Sequence, residues 1–110
     1  MSIIKTSALL LVAMLVLAPA QSQAEPKLAL QQVTEDVYAI VGELGNRSKD
    51  NLGNNATFGL VVTREGAVLI DSGGTHPGAR EIDLLIKSVT DKPVVRVINT
   101  GGQDHRWLGN

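Results

Sequence analysis

Val68-Leu69-Ile70-Asp71-Ser72-Gly73-Gly74-Thr75-His76-Pro77 passes from an apolar run, through a glycine turn, to a helix start. The run has the composition of a strand and the glycines break it. Pro77 suits the first position of a helix, where its missing N–H leaves no bond unmade. Beyond it, Ala79, Ile82, Leu85, Ile86 and Val89 recur at helical spacing. Asp83 and Lys87 form an i,i+4 pair on the opposite face. Asp91-Lys92-Pro93 stops the helix, and Val94 to Asn99 reads as a strand. A strand, a helix and a strand make a crossover unit, so the two strands should lie parallel.

Upstream of this unit the pattern is antiparallel. Ala67 to Asp71 and Thr57 to Thr63 are apolar strands joined by Arg64-Glu65-Gly66, with Gly66 supplying the freedom of a tight hairpin. Leu28 to Val33 and Val37 to Val41 form an earlier pair around the turn Thr34-Glu35-Asp36. Between the pairs, Gly42 to Asn55 holds three glycines and four asparagines without periodicity, which predicts a loop or a long mobile hairpin tip. Loops of this length are often functional.

The first stretch stands apart. Lys5, an apolar run from Ala8 to Ala18, Pro19 and the small-x-small ending Ser22-Gln23-Ala24 are laid out as a secretory signal peptide, with cleavage after Ala24. The run is too short for a permanent anchor, since spanning a bilayer takes about 20 apolar residues. The chain is therefore expected to be periplasmic or secreted. Removing 24 of the 110 residues leaves 86, with nine basic against eleven acidic side chains. That balance, with no basic stripe, excludes nucleic acid as a partner. The chain has no cysteine, so no disulfide framework holds it and any metal must sit on His, Asp or Glu. Its only aromatic residues are Tyr38, Phe58 and Trp107, so aliphatic side chains must carry the core.

Chemistry-bearing residues collect after the last two strands. Ligands bind open α/β sheets beyond the carboxyl ends of parallel strands, here at Asp71 to His76 and Thr100 to His105. The glycine turn lacks both the GxGxxG and the Walker lysine patterns, so it reads as a strand-to-helix turn. Ser72 has neither a nearby histidine nor a GxSxG elbow, which argues against serine catalysis. His76 beside Pro77 reads as a capping or exposed residue. Asp104-His105, taken alone, reads as a surface pair before it reads as a metal site, and Trp107 and Leu108 read as core.

The order of these elements, with the residues at their ends, resembles the amino-terminal half of the metallo-β-lactamase-fold hydrolases. Asp71-Ser72-Gly73 is similar to that family's Asp-Thr-Gly-like turn. Asp104-His105 is similar to the end of its motif His-x-His-x-Asp-His. Asn99 to Asn110 is similar to the branch called quinoprotein relay system zinc metallohydrolases. The resemblance implies an α+β fold, the amino-terminal half of an αββα sandwich, with residues 25–110 forming an incomplete domain. It implies zinc bound by Asp104 and His105, with Asp104 also positioning or deprotonating the attacking water and Asp71 orienting the ligands. The reaction implied is hydrolysis of an ester, thioester or amide-like bond in a small molecule, in association with a periplasmic quinoprotein.

The chain also departs from the family. Thr100 and Gly102 stand where its two leading histidines belong, and neither can replace an imidazole on zinc. The resemblance then implies one ion, held only with ligands beyond residue 110. The rival reading is a non-catalytic periplasmic accessory or binding module with a degenerate metal site. Thr100 and Gly102 favour the rival; Asp104 and His105 favour the enzyme.

Overall fold

The computed structural model describes residues 28–110. The leader assigned to residues 1–24 lies outside the described residues. Among those described, no helix is long and apolar enough to cross a membrane.

One five-stranded sheet runs in sequence order: β1 (Ala29–Thr34), β2 (Val37–Val41), β3 (Thr57–Val62), β4 (Ala67–Ile70) and β5 (Val94–Ile98). The first four pair antiparallel as a meander, and β5 pairs parallel with β4 after the crossover helix α1 (His76–Val89). The architecture is mixed α+β, as the hydrophobic periods require. The helix begins one residue before Pro77, and its cap is Thr75 rather than His76. Thr75 Oγ1 accepts from the Gly78 N–H at 3.0 Å, satisfying one of the donors that a helix start leaves open. His76 is exposed on the first turn.

Strand register explains which face is covered. Ile40 opposes Phe58 and Leu60 opposes Leu69, so these side chains line one face, where Ile82 and Ile86 of α1 join them in the core. The residues between them point to the other face: Val41, Val61, Val68, Ile70 and Ile98. Those strands are therefore apolar on both sides, the composition of a sheet made to be covered on both faces. On this second face Ile98 is exposed and Val61, Val68 and Ile70 are only half-buried.

Two expectations are corrected. The 42–55 segment is a pinned loop and not a mobile hairpin tip. The Asn51 carboxamide accepts from the Ser48 and Gly53 N–H groups at 2.9 and 3.0 Å and donates to the Asn46 carbonyl at 3.0 Å. Asn54 donates to the Gly78 carbonyl at 3.0 Å, and the Thr75 hydroxyl donates to the Leu52 carbonyl, so the loop is tied to the helix start. Asparagines carry enough donors and acceptors to replace a strand ladder with side-chain bonds, which composition alone does not show. Trp107 and Leu108 are not core: they are 45% and 47% exposed, because the chain after β5 turns back over the Asp71–Gly74 turn and presents them outward.

Candidate active-site turns beyond β4 and β5

The loops after β4 and β5 meet as a single assembly. Ser72 and Gly73 donate from their backbone N–H groups to the carbonyls of Arg106 and His105, at 3.3 and 3.0 Å, and Gly109 donates back to the Gly73 carbonyl at 3.0 Å. A short 3-10 turn, Asp104–Arg106, lies at the centre of this second loop. Gly109 allows the contact: a Cβ there would stand 1.9 Å from the Ser72 carbonyl oxygen. Ser72 itself is buried and donates its hydroxyl to Asn110 Oδ1 at 2.6 Å, so its proton is committed to an amide oxygen rather than to a base. Gly74 brings the backbone of the first turn under His105, with an added Cβ 3.4 Å from the His105 Cα.

Asp71 is the buried centre of this assembly. Its φ is +60°, a left-handed conformation rare for a residue with a side chain but tolerated best by Asn and Asp. Oδ1 accepts from the Thr100 N–H at 2.8 Å, and Oδ2 accepts from the Thr100 hydroxyl at 2.7 Å and from Arg106 Nη1 at 3.2 Å. Arg106 also donates to the Thr100 hydroxyl oxygen, and its Nε donates to Gln103 Oε1 at 2.9 Å. Both carboxylate oxygens are thus occupied by the loop after β5. Asp71 reaches Asp104 and His105 only through the backbone that it holds in place.

Asp104 and His105 are adjacent on the 3-10 turn, and their donors are not bonded to each other. His105 Nδ1 lies 3.8 Å from Asp104 Oδ1, beyond hydrogen-bond range. The Asp104 carboxylate is instead taken by Arg47, which reaches across from the 42–55 loop and donates from both Nη atoms, one to each oxygen. The main-chain N–H of His105 adds a bond to Oδ1 at 2.8 Å. The Arg47 hydrogen bond, followed by the His105 N–H and the Arg47 charge, holds the Asp104 carboxyl below the usual carboxylate range, against the opposing effect of desolvation. The same bond raises the Arg47 guanidinium.

These residues do not make a zinc centre by themselves. Structural and catalytic zinc sites take about four ligands, and among the described residues no three His, Cys, Asp or Glu side chains are grouped to hold an ion. The two donors present are of the right chemistry, but one is neutralised by a guanidinium. Thr100 is committed to Asp71, and the position of Gly102 has no neighbour within 4 Å of an added Cβ, so it offers space without a donor.

Arg47 and Arg106 escaped the sequence reading. A buried carboxylate at Asp71 requires donors, and Arg106 was a near candidate for that task. Arg47 is 57 residues from Asp104, and no local pattern ties the two together.

Comparison with known proteins fits this geometry. The family model of the metallo-beta-lactamase superfamily matches residues 53–102, a span that includes Asp71 and Thr100 and stops short of Asp104 and His105. Among solved structures, a metallo-beta-lactamase from Pontibacter korlensis is similar at 23% identity and a TM-score of 0.57, over 74% of this chain and 37% of that one. The metallo-beta-lactamase FIM-1 from Pseudomonas aeruginosa, in its mono-zinc form, is similar at 17% identity and a TM-score of 0.58, over 78% of this chain and 38% of that one. The chain thus spans less than two-fifths of the length of either structure. No curated protein matches it. Residues 53–102 thus match the sequence pattern of the metallo-beta-lactamase superfamily, and the sheet and helix share part of the metallo-beta-lactamase fold.

Proposed function

We propose that the chain is the amino-terminal part of an exported hydrolase of this fold, acting on an ester, thioester or amide-like bond of a small molecule. The observation that carries the reading is the joining of the Asp71–Gly74 and Asp104–Gly109 turns at the carboxyl ends of two parallel strands, the position where open α/β sheets bind ligands. In this reading Asp104 and His105 contribute to a single zinc ion whose remaining donors lie outside the described residues. Zinc, when bound, supplies Lewis-acid activation of water. The chain's own part is positional: Asp71 fixes Thr100 and Arg106, and through them the turn that presents Asp104 and His105. Export rests on the leader-like residues 1–24, and a quinoprotein partner rests on the resemblance of Asn99 to Asn110 to one branch of the family.

A second reading, an accessory module with a degenerate metal site, is favoured by one observation. Arg47 already neutralises Asp104, as a metal ion would. Full-length protein recovered from the periplasm separates the two. Hydrolysis of simple ester or thioester substrates that disappears in Asp104→Ala and His105→Ala supports the enzyme. Protein of intact mass beginning at Glu25 but inert towards all of them supports the module.

A further inference from the structure

We propose that the 42–55 loop is a strap fastened by Arg47, and that Arg47 and a cation compete for the carboxylate of Asp104. The inference rests on the metal reading above only for its second half. The strap has an anchored base and a forward contact at Arg47. At its base, Asn51, Leu52 and Asn54 tie it to itself and to the start of α1. Its forward contact is the guanidinium of Arg47, planar and forked, matched to both oxygens of Asp104.

The contact is built to be reversible. Arg47 and Asp104 are 41% and 42% exposed, and ion pairs at such exposure are weak and sensitive to salt. Arg47 also lines a cavity of about 690 Å³ together with Ser48, Leu52, Gly53, Thr75 and Pro77. Release of Arg47 from Asp104 therefore changes one wall of that cavity and bares the carboxylate in the same movement. A ligand that takes the Asp104 carboxylate therefore releases the Arg47 end of the strap.

Hydrogen exchange of the full-length, metal-free protein tests the strap. Backbone amides of residues 46–50 should exchange about two- to fivefold faster in Arg47→Asp and in Asp104→Arg, the range expected for one exposed pair. The two changes together should restore the wild-type rate, because the pair is re-formed with its charges reversed, and Arg47→Lys should restore it only in part, because an ammonium lacks the fork. A rescue of this kind would not follow from a structural role of either residue alone. Unchanged exchange in both single variants, or additive loss in the double variant, would overturn the strap.

Zinc alone, added to the same protein, tests the competition. It should speed exchange at residues 46–50 in the wild type and bind Arg47→Met about two- to fivefold more tightly. Zinc that binds while leaving the strap protected would overturn the competition. Zinc that binds neither form would overturn both the competition and the metal reading, leaving the strap to stand on the charge-reversal result.

Discussion

Two carboxylate–guanidinium pairs lie on either side of the same 3-10 turn, and they differ chiefly in burial. Asp71 is 6% exposed and Arg106 31%, whereas Asp104 and Arg47 are 42% and 41% exposed. The first pair sits among backbone bonds that join two loops; the second joins one loop to the turn from outside. The same chemistry therefore does two tasks. Where the pair is shielded from water, removing one partner strands the other, and the pair acts as a weld. Where it is open to water and salt, each partner can be solvated alone, and the pair acts as a clasp.

The sharpest way to break the weld is steric. Gly109→Ala places a methyl group 1.9 Å from the Ser72 carbonyl oxygen, a backbone atom that cannot move aside without the turn. Denaturant unfolding of the full-length protein should show a loss of about 3 kcal/mol, at the upper end of overpacking costs. A loss below about 0.5 kcal/mol would mean that the two loops are not held together as described.

Next in size is the acid at the centre. Asp71→Ala leaves the Thr100 N–H and hydroxyl and one Arg106 donor without their acceptor, and should cost about 2 kcal/mol by the same measurement. Thr100→His introduces the imidazole that the resemblance implies at that position but removes the hydroxyl that Asp71 and Arg106 share, so it should cost about 1 kcal/mol. A neutral or stabilising Thr100→His would show that the network is incidental.

The clasp is expected to move with pH in one direction only. Asp104 is depressed in the folded protein, so its contribution is fully present above the ordinary carboxylate pKa of about 3.9 and is lost as pH falls through its lower folded value. The Arg47 side-chain N–H resonances should stay shifted from their free positions down to about pH 4 and collapse towards them below it. Collapse near neutral pH would contradict the assignment of Asp104 as the partner.

How far sequence reaches depends on the kind of bond. The meander, the crossover helix and the parallel strand follow from hydrophobic periods of 2 and 3.6, because burial selects one face at each step. The approach of the two turns follows from topology, since parallel neighbours place their carboxyl ends side by side. The order in the 42–55 loop did not show, because Asn51 and Asn54 act through side-chain bonds that leave no period. Trp107 and Leu108 misled for the opposite reason: apolar character says nothing of where a chain turns back on itself. Arg47 is the clearest case, since an ion pair across 57 positions leaves no trace in spacing.

Zinc content decides whether Asp104 and His105 serve an ion or only a clasp. Full-length protein, purified, loaded with zinc and dialysed, should hold about one ion per chain by elemental analysis, given one local donor pair and the four-ligand habit of zinc. Asp104→Ala and His105→Ala should each lose most of it, while His76→Ala, exposed on the first turn of α1, should lose none. Zinc unchanged in both Asp104→Ala and His105→Ala would show that the pair belongs to the surface and that the metallohydrolase reading of this chain is wrong.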